Sequence, residues 1–243
     1  MPHVDCYDST FFDQQVEGAL RSGRVVAPIV CDLIHPASVV DVGCGRGAWL
    51  KAFQECGVED VLGLDGDYVA PDALLIPPAC FQPADLTAPL RMDRGFDLAL
   101  CLEVAEHLPP AAAPGLIRSL VGLAPLVLFS AALPLQGGTH HVNERWPDYW
   151  SGLFAAHRFR RLDAIRGRVW QDPRVEWWYR QNLLLFADER AAAARPELAG
   201  LDRLVNDLTL IQSRILREHL SLRQTLGRLP GRAWRSLTGG NSS

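Results

Sequence analysis

Residues 39–47 read VVDVGCGRG, and this stretch decides the fold of the 243-residue chain. Its first four residues form a short buried strand pattern, which Gly43, Gly45 and Gly47 break into a tight turn before the next helix. Because glycine has no side chain, the backbone of such a turn can come close to a ligand. Asp41, just before the turn, suits a ligand that carries positive charge. The stretch therefore predicts a ligand site at the carboxyl end of a strand.

A second acidic residue supports this prediction. Asp65 ends the next apolar strand, 24 residues after Asp41. At about this distance, α/β folds that bind nucleosides place the carboxylate that holds the ribose hydroxyls. The two acids and the turn together indicate a nucleoside cofactor, and therefore an enzyme.

The composition excludes several other classes of protein. Hydrophobic residues make up 48% of the chain, which is enough for a full core, and the net charge of −4 argues against nucleic-acid binding. No apolar run approaches the ~20 residues that a membrane span requires. The six cysteines show no CxxC spacing, which predicts free thiols and no zinc site. With no leader pattern at the start, we expect a cytoplasmic protein without membrane or nucleic-acid partners.

Strand patterns alternate with helix patterns through residues 36–188. This alternation predicts an α/β fold with a doubly wound, mainly parallel sheet of seven strands and helices on both faces. We predict strands at residues 38–42, 61–65, 81–84, 96–101, 126–131, 159–165 and 182–187, and helices at residues 25–34, 48–56 and 111–124.

Two further segments flank this core. Residues 1–35 are predicted to form a helical cap, and residues 189–243 a helical extension. Within the extension, apolar residues at near-heptad spacing predict one long amphipathic helix over residues 201–226. Such a helix packs on its own domain, forms the contact of a homodimer or, as the last alternative, lies on a membrane surface.

Residues 36–187 resemble the class I S-adenosylmethionine-dependent methyltransferases. The resemblance rests on four elements in the family's order: the glycine turn, LGLDGD at residues 62–67, PADL at residues 83–86, and FDLALCLEVAEHLP at residues 96–109. The last of these is the most specific, because a buried strand that ends in EVAEH is typical of the family. The resemblance implies a Rossmann-like fold and S-adenosylmethionine as the methyl donor.

The resemblance also implies a role for each motif. The glycine turn would contact the methionine portion of the cofactor, Asp65 the two ribose hydroxyls, and Asp85 the adenine amino group, with Leu86 beside the ring. The cofactor-binding residues implied are Asp41, Gly43, Cys44, Gly45, Gly47, Asp65, Gly66, Asp85, Leu86, Leu102, Glu103 and His107. From the residues alone, Asp65 and Asp85 could instead cap turns or helices, and Asp41 could cap the next helix. Cys44 is expected to be a small filler and not a nucleophile.

The acceptor side is predicted at residues 134–150, which read PLQGGTHHVNERWPDYW. This run follows the strand at residues 126–131, and open α/β sheets bind ligands at that edge. His140 and His141 lie in a polar loop next to two glycines, and either could take a proton from a hydroxyl near neutral pH. The alternative is a loop that is only held together by hydrogen bonds to Asn143 and Glu144.

This loop and VEWWYRQN at residues 175–182 resemble a subgroup of bacterial methyltransferases found with natural-product and polysaccharide pathways. The resemblance implies small-molecule or sugar hydroxyls as acceptors and a place in natural-product or antibiotic biosynthesis. Aromatic side chains suit such acceptors. The predicted acceptor-binding residues are His141, Asn143, Trp146 and Trp178, with Tyr7 and Phe11 from an N-terminal lid of the kind the family uses.

The run after the predicted strand at residues 96–101 raises the question of a divalent metal. Glu103, Glu106 and His107 lie close together, and a similar Glu-x-x-Glu-His run binds a divalent ion in some quinone-pathway O-methyltransferases. The same run is widespread in metal-free relatives. We therefore predict no metal, and keep metal-assisted transfer as an alternative.

The sequence favours an O-methyltransferase that acts on a small polar metabolite, because two adjacent histidines suit the deprotonation of a hydroxyl. N-methylation of a small amine is the nearest alternative, and a non-catalytic cofactor-binding subunit is another. A nicotinamide dehydrogenase is disfavoured, since the alternating glycines at residues 43–47 do not match GxGxxG.

Overall fold

The computed structural model describes residues 9–199 and residue 201. It contains a seven-stranded sheet with helices on both faces. The strands are β1 (Ser38–Val42), β2 (Asp60–Asp65), β3 (Phe81–Pro83), β4 (Leu98–Leu102), β5 (Leu126–Ser130), β6 (Phe159–Leu162) and β7 (Leu184–Asp188). The helices are α1 (Ser9–Ile34), α2 (Ala48–Glu55), α3 (Ala113–Leu123), α4 (Pro147–Ala155), α5 (Arg166–Val169), α6 (Trp177–Asn182) and α7 (Glu189–Ala193).

The strand order in the sheet is β3-β2-β1-β4-β5-β7-β6. All pairings are parallel except those of β7, which runs antiparallel to β5 and β6. The order reverses between β1 and β4, and a reversal of this kind opens a crevice at the carboxyl ends of the strands. The mainly parallel, Rossmann-like sheet that we predicted is confirmed.

The sheet is buried on both faces, as a parallel sheet requires. Successive residues of β1 show this, because Val39 belongs to the core under α1 and α2 while Val40 belongs to the core under α3 and α4. Helix α1 approaches α2 closely at Gly23, where a β-carbon would lie 2.9 Å from Cβ of Ala52. The strands are thereby held from both sides, and their carboxyl ends form a rigid edge.

Several predicted element boundaries are corrected, most by one or two residues and three of them for a clear reason or by a larger amount. The strand predicted at residues 159–165 ends at Leu162, because Asp163 turns away to bind Arg166 at the start of α5. Asn182, predicted to begin the last strand, is the last residue of α6. The helix predicted at residues 25–34 starts earlier, at Ser9.

Several predictions lie outside the described residues. Tyr7 and the side chain of Phe11 are among them, as is the amphipathic helix at residues 201–226 beyond its first residue. Among the described helices, none combines the length and the apolar character that a membrane crossing needs.

Candidate active site

The glycine turn after β1 is held in a conformation that favours glycine. Gly43, Gly45 and Gly47 have φ values of 87°, 52° and 79°. The backbone N–H groups of Gly43 and Cys44 both donate to the carbonyl of Leu64 in β2, at 2.8 and 3.2 Å. The turn therefore presents bare backbone at the carboxyl edge of the sheet.

Gly43 is also enclosed, which leads to a prediction. A β-carbon at Gly43 would overlap with the side chain of Val104, whereas one at Gly57, with φ of 91°, would meet nothing within 4 Å. Gly57→Ala should therefore cost only the left-handed strain, about 1–2 kcal/mol. Gly43→Ala should add an overpacking cost of about 1–3 kcal/mol. Urea unfolding of both variants measures the difference, and equal losses of stability would contradict the enclosure of Gly43.

Asp65 ties this turn to the end of β2. Its side chain is only 4% exposed, and its Oδ2 atom accepts a hydrogen bond from the Gly45 N–H at 2.6 Å. Oδ1 accepts from the Gly66 N–H at 2.7 Å and from the Tyr68 hydroxyl. Both oxygens therefore hold neighbouring turns in place while the carboxylate faces a cavity.

That cavity has a volume of about 510 Å³, which suits a small-molecule ligand. It lies along the carboxyl ends of β2 and β3, and Leu108, from the segment after β4, closes it on one side. Its lining consists of Asp65, Gly66, Asp67, Tyr68, Pro83, Ala84, Asp85, Leu86, Thr87 and Leu108. The predicted ribose and adenine residues are thus brought together on one cavity.

Asp85 lies at the exposed end of the cavity and also stabilises a turn. Its Oδ1 atom accepts from the backbone N–H of Thr87 at 2.9 Å and from the Thr87 hydroxyl at 2.6 Å. These bonds lower the pKa of the carboxyl below its ordinary value. Asp85 therefore stabilises a turn, which was the alternative that the sequence allowed. Its contact with adenine stays a prediction.

Asp41 is buried beneath the turn, with 2% of its surface exposed. The alternative that it caps α2 is wrong, because the N-cap is Gly47 and no side chain caps that end. Burial, and then the charge of Asp65, raise the pKa of Asp41 to about 7. Burial, and then the charges of Asp41, Glu106, Asp65 and Glu103, raise the pKa of the Cys101 thiol. Asp41, Asp65 and Glu103 lie at or near the carboxyl ends of neighbouring strands, where carboxylates suit a ligand that carries positive charge.

The raised pKa of Asp41 predicts the pH dependence of stability. A carboxyl whose folded pKa lies above its unfolded value stabilises the fold fully below about pH 4, and this contribution is lost as the pH rises through about 7. A shift of about three units corresponds to roughly 4 kcal/mol. Asp41→Asn should therefore lose less stability than the wild type between pH 5 and pH 8. Urea unfolding at the two pH values tests this, and parallel losses in both proteins would count against it.

Glu103 follows β4 directly and has a left-handed backbone, with φ of 54°. This conformation is uncommon for a residue with a side chain and is often found at functional sites. Its carboxylate accepts hydrogen bonds from the side-chain amides of Gln136 and Asn182, each at 3.1 Å. Burial raises the pKa of Glu103. Residues from three distant segments therefore meet at the end of β4.

Glu106 is completely buried and fixes the acceptor loop. Its Oε1 atom accepts from the Ala132 N–H at 3.1 Å, and its backbone carbonyl accepts from the N–H groups of Val142 and Asn143. Burial, and then the charge of Glu103, raise the pKa of Glu106 well above its ordinary value. The buried carboxyl of Glu106 therefore favours its protonated form.

The structure separates the two neighbouring histidines. His141 is 12% exposed, and its Nδ1 atom lies 3.0 Å from Oε1 of Glu144. Gly138 lies so close to the His141 ring that a β-carbon there would overlap with it. Glu144 is itself held, because its Oε2 atom accepts from the Leu135 N–H at 2.9 Å. His140, by contrast, is exposed and has φ of 60°.

Comparison with known proteins identifies the family. The sequence matches the model of a methyltransferase-domain family over residues 12–171. The chain belongs to the class I S-adenosylmethionine-dependent methyltransferases. It is an enzyme of this kind, and S-adenosylmethionine is its methyl donor, as predicted.

Similar solved structures show the same fold. DesVI of Streptomyces venezuelae is 14% identical, with a TM-score of 0.57 over 77% of this chain and 98% of DesVI. An O-methyltransferase family protein from Burkholderia thailandensis is 14% identical, with a TM-score of 0.53 over 73% of this chain and 58% of that one. TnmH is 17% identical, with a TM-score of 0.51 over 74% and 58%. No curated protein matches the sequence.

Other predicted site residues of this methyltransferase are placed as follows. Cys44 is buried in the turn, and burial raises the pKa of its thiol, which suits a filler. Leu102 is buried at the end of β4. The side chain of Asn143 is buried and donates to the carbonyl of Ala105 at 3.3 Å, so it holds the loop.

The predicted aromatic contacts differ in exposure. Trp146 is 46% exposed just before α4. Trp178 is half-buried in α6 and packs edge-on against Trp177, with ring centroids 5.7 Å apart. Their contact with an acceptor stays a prediction.

Sequence reasoning missed three polar residues at the site. Gln136, Gln181 and Asn182 bond to one another, and two of them also bond to Glu103. A signal was present, because two carboxamides directly before the apolar run of β7 are unusual for a strand start.

One group of side chains has the chemistry of a metal site. Glu106, His107 and His141 each offer one atom, and these atoms lie within 4.8 Å of one another. Among the described residues, Oε2 of Glu106 is a buried oxygen with no hydrogen-bond partner. The group differs from the predicted run, because His141 takes the place of Glu103. Carboxylate and imidazole fit a divalent cation.

Proposed function

We propose that this methyltransferase transfers a methyl group to a hydroxyl of a small polar metabolite, with His141 as the general base. The acceptor class is a sugar, a nucleoside-like compound or another natural-product intermediate. The observation that carries the proposal is the contact of 3.0 Å between Nδ1 of His141 and Glu144. A carboxylate in this position orients the imidazole ring and stabilises the cation formed when the ring accepts a proton.

S-adenosylmethionine supplies an electrophilic methyl group on a sulfonium, so the protein mainly aligns the two reactants and excludes water. The bond from sulfur to methyl breaks as the bond from oxygen to methyl forms. The proton of the acceptor hydroxyl passes to Nε2 of His141, while Glu144 accepts a hydrogen bond from the Nδ1 proton. His140 has no comparable position, because it is exposed on the loop.

The cavity supports a placement of the cofactor. Asp65 would hold the ribose hydroxyls, and Asp85 with Leu86 the adenine, since all three line the same space. The glycine turn would contact the methionine portion. Asp41, which is buried, and Glu103, which directly follows β4, would favour the positive charges of the sulfonium and the amino group.

The surface around His141 supports an acceptor with an apolar face. Leu135, Val142 and Trp146 are large apolar residues with exposed side chains, and all three belong to the acceptor loop. Exposed apolar groups beside a polar site are typical of ligand-binding rims. A sugar ring or a similar natural-product scaffold fits, because it combines an apolar face with hydroxyl groups.

The experiment is incubation of the purified enzyme with methyl-labelled cofactor and matched pairs of hydroxyl and amino sugars. Mass spectrometry detects the gain of one methyl group, and NMR locates it. We expect methylation of oxygen. Transfer only to nitrogen would support the amine alternative instead, and cofactor binding without any transfer across the panel would support a non-catalytic subunit.

A second candidate is metal-assisted O-methylation, favoured by the arrangement of Glu106, His107 and His141. A bound divalent ion would act as a Lewis acid and lower the pKa of the acceptor hydroxyl. Titration with Mn²⁺ followed by electron paramagnetic resonance tests binding directly. Bound Mn²⁺ that is lost in Glu106→Gln, together with turnover that stops on chelation, would favour this candidate over the histidine base.

A further inference from the structure

The carboxylate of Asp65, which we propose binds the ribose, accepts a hydrogen bond from a tyrosine hydroxyl. The Tyr68 hydroxyl donates to Oδ1 of Asp65, which also accepts from the Gly66 N–H. Oδ2 accepts from the Gly45 N–H at 2.6 Å. Three of the about four acceptor positions of this carboxylate are therefore occupied, and a ribose that uses both oxygens needs the position that Tyr68 holds.

Tyr68 is placed so that it can move without disturbing the core. It is 78% exposed, and its ring lies on Gly66, where a β-carbon would overlap with it. The same ring forms part of the cavity wall together with Leu86 and Leu108. A side chain that is mostly exposed can rotate out at a small energetic cost.

The hydrogen bond itself is of the stronger kind. Although most of the side chain is exposed, the Tyr68 hydroxyl lies at a part-buried contact with Asp65. Desolvation there, and then the hydrogen bond to Asp65, raise the pKa of Tyr68, so the hydroxyl stays protonated and donates. A neutral donor on a carboxylate forms a charge-assisted hydrogen bond, which is stronger than one between two neutral groups. A ligand that displaces it must first replace this bond.

We infer that Tyr68 is an internal competitor for the ribose hydroxyls of the cofactor: its hydroxyl uses an acceptor position of Asp65 that a bound ribose also needs, and it leaves when a ribose binds. The inference rests on the proposed placement of the ribose at Asp65. A nucleoside with both ribose hydroxyls must break the hydrogen bond between Tyr68 and Asp65 before it binds. Its net affinity is therefore reduced by the strength of that bond. A nucleoside without hydroxyls leaves Tyr68 in place, so its affinity does not depend on that bond.

The test is calorimetric titration of the wild type and Tyr68→Phe with two ligands. These are S-adenosylhomocysteine and its 2′,3′-dideoxy analogue. Tyr68→Phe keeps the ring and removes only the hydroxyl, so we expect S-adenosylhomocysteine to bind about tenfold more tightly, which corresponds to one charge-assisted hydrogen bond. The affinity of the dideoxy analogue should change by less than about twofold, since removal of the Tyr68 hydroxyl takes away no group that this analogue must displace.

Two controls make the outcome decisive. Tyr149→Phe removes a hydroxyl from a half-buried tyrosine of α4, outside the cavity, and should leave both affinities unchanged. Asp65→Asn tests the placement itself. If Asp65→Asn binds S-adenosylhomocysteine like the wild type, the proposed ribose site is wrong. If Asp65→Asn loses binding but Tyr68→Phe binds equally or more weakly, only the competition is wrong.

Discussion

Asp65→Asn should weaken the binding of S-adenosylhomocysteine by about 100-fold to 1000-fold, because it removes the charge that would accept both ribose hydroxyls. Hydrogen bonds to a charged acceptor contribute about 1.5–3 kcal/mol each, and an amide retains only one acceptor oxygen. Calorimetry with purified protein measures the change. The effect is expected to be the largest of any single substitution in the cavity, since Asp65 is the only buried acid that lines it among the described residues.

Asp67→Asn is the matched control for this substitution. Asp67 lines the same cavity but is exposed, so its replacement removes one negative charge without disturbing the turn. We expect an affinity within about threefold of the wild type, because an exposed charge is well screened by solvent. Thermal unfolding is needed as a second measurement, since Asp65 also holds Gly45 and Gly66. A folded Asp65→Asn variant with unchanged affinity would refute the ribose assignment.

His141→Ala should lower kcat by about 10²- to 10⁴-fold, the range that general base catalysis contributes. The affinity for S-adenosylhomocysteine should stay the same, because His141 does not line the nucleoside cavity. His140→Ala is the matched control: the residue is adjacent, of the same type and exposed, and we expect nearly normal turnover. The assay follows methyl transfer to the best acceptor of the panel.

Glu144→Gln tests whether His141 acts as a general base or only binds the acceptor. If Glu144 orients His141 and stabilises the protonated ring, the variant should retain the KM for the acceptor and lose about tenfold or more in kcat. If His141 only binds the acceptor, both His141→Ala and Glu144→Gln should raise KM with kcat unchanged. Wild-type turnover in His141→Ala would remove the histidine from the mechanism.

Much of the fold could be predicted because its signals are local. The strand at residues 38–42 was predicted with the observed limits, since an apolar run followed by three alternating glycines allows little else. The glycines adopt the left-handed conformations that a side chain would resist. The boundaries near residues 163 and 182 were wrong because a short run of mixed polar and apolar residues suits a helix end and a strand start equally.

The candidate site was predictable in its cofactor half and only partly in its acceptor half. Asp65, Asp85 and Leu86 each end or follow a predicted strand, and parallel strands bring such positions to one edge. The carboxamides around Glu103 could not be predicted in the same way. Asn182 lies 79 residues from Glu103 along the chain, and nothing in the local pattern of either residue indicates that they meet.

The sequence by itself determined the family, the methyl donor and the order of the strands that carry the cofactor residues, because these depend on short motifs with their own backbone requirements. Only the tertiary structure distinguishes the surroundings of His140 from those of His141. The two are identical neighbours in the sequence, and they differ because the loop folds Gly138 and Glu144 around one ring and leaves the other exposed. It also decided that His141, and not Glu103, joins Glu106 and His107, since the amides of Gln136 and Asn182 hold the Glu103 carboxylate elsewhere. Contacts of this kind arise from packing between distant segments, which no local pattern specifies.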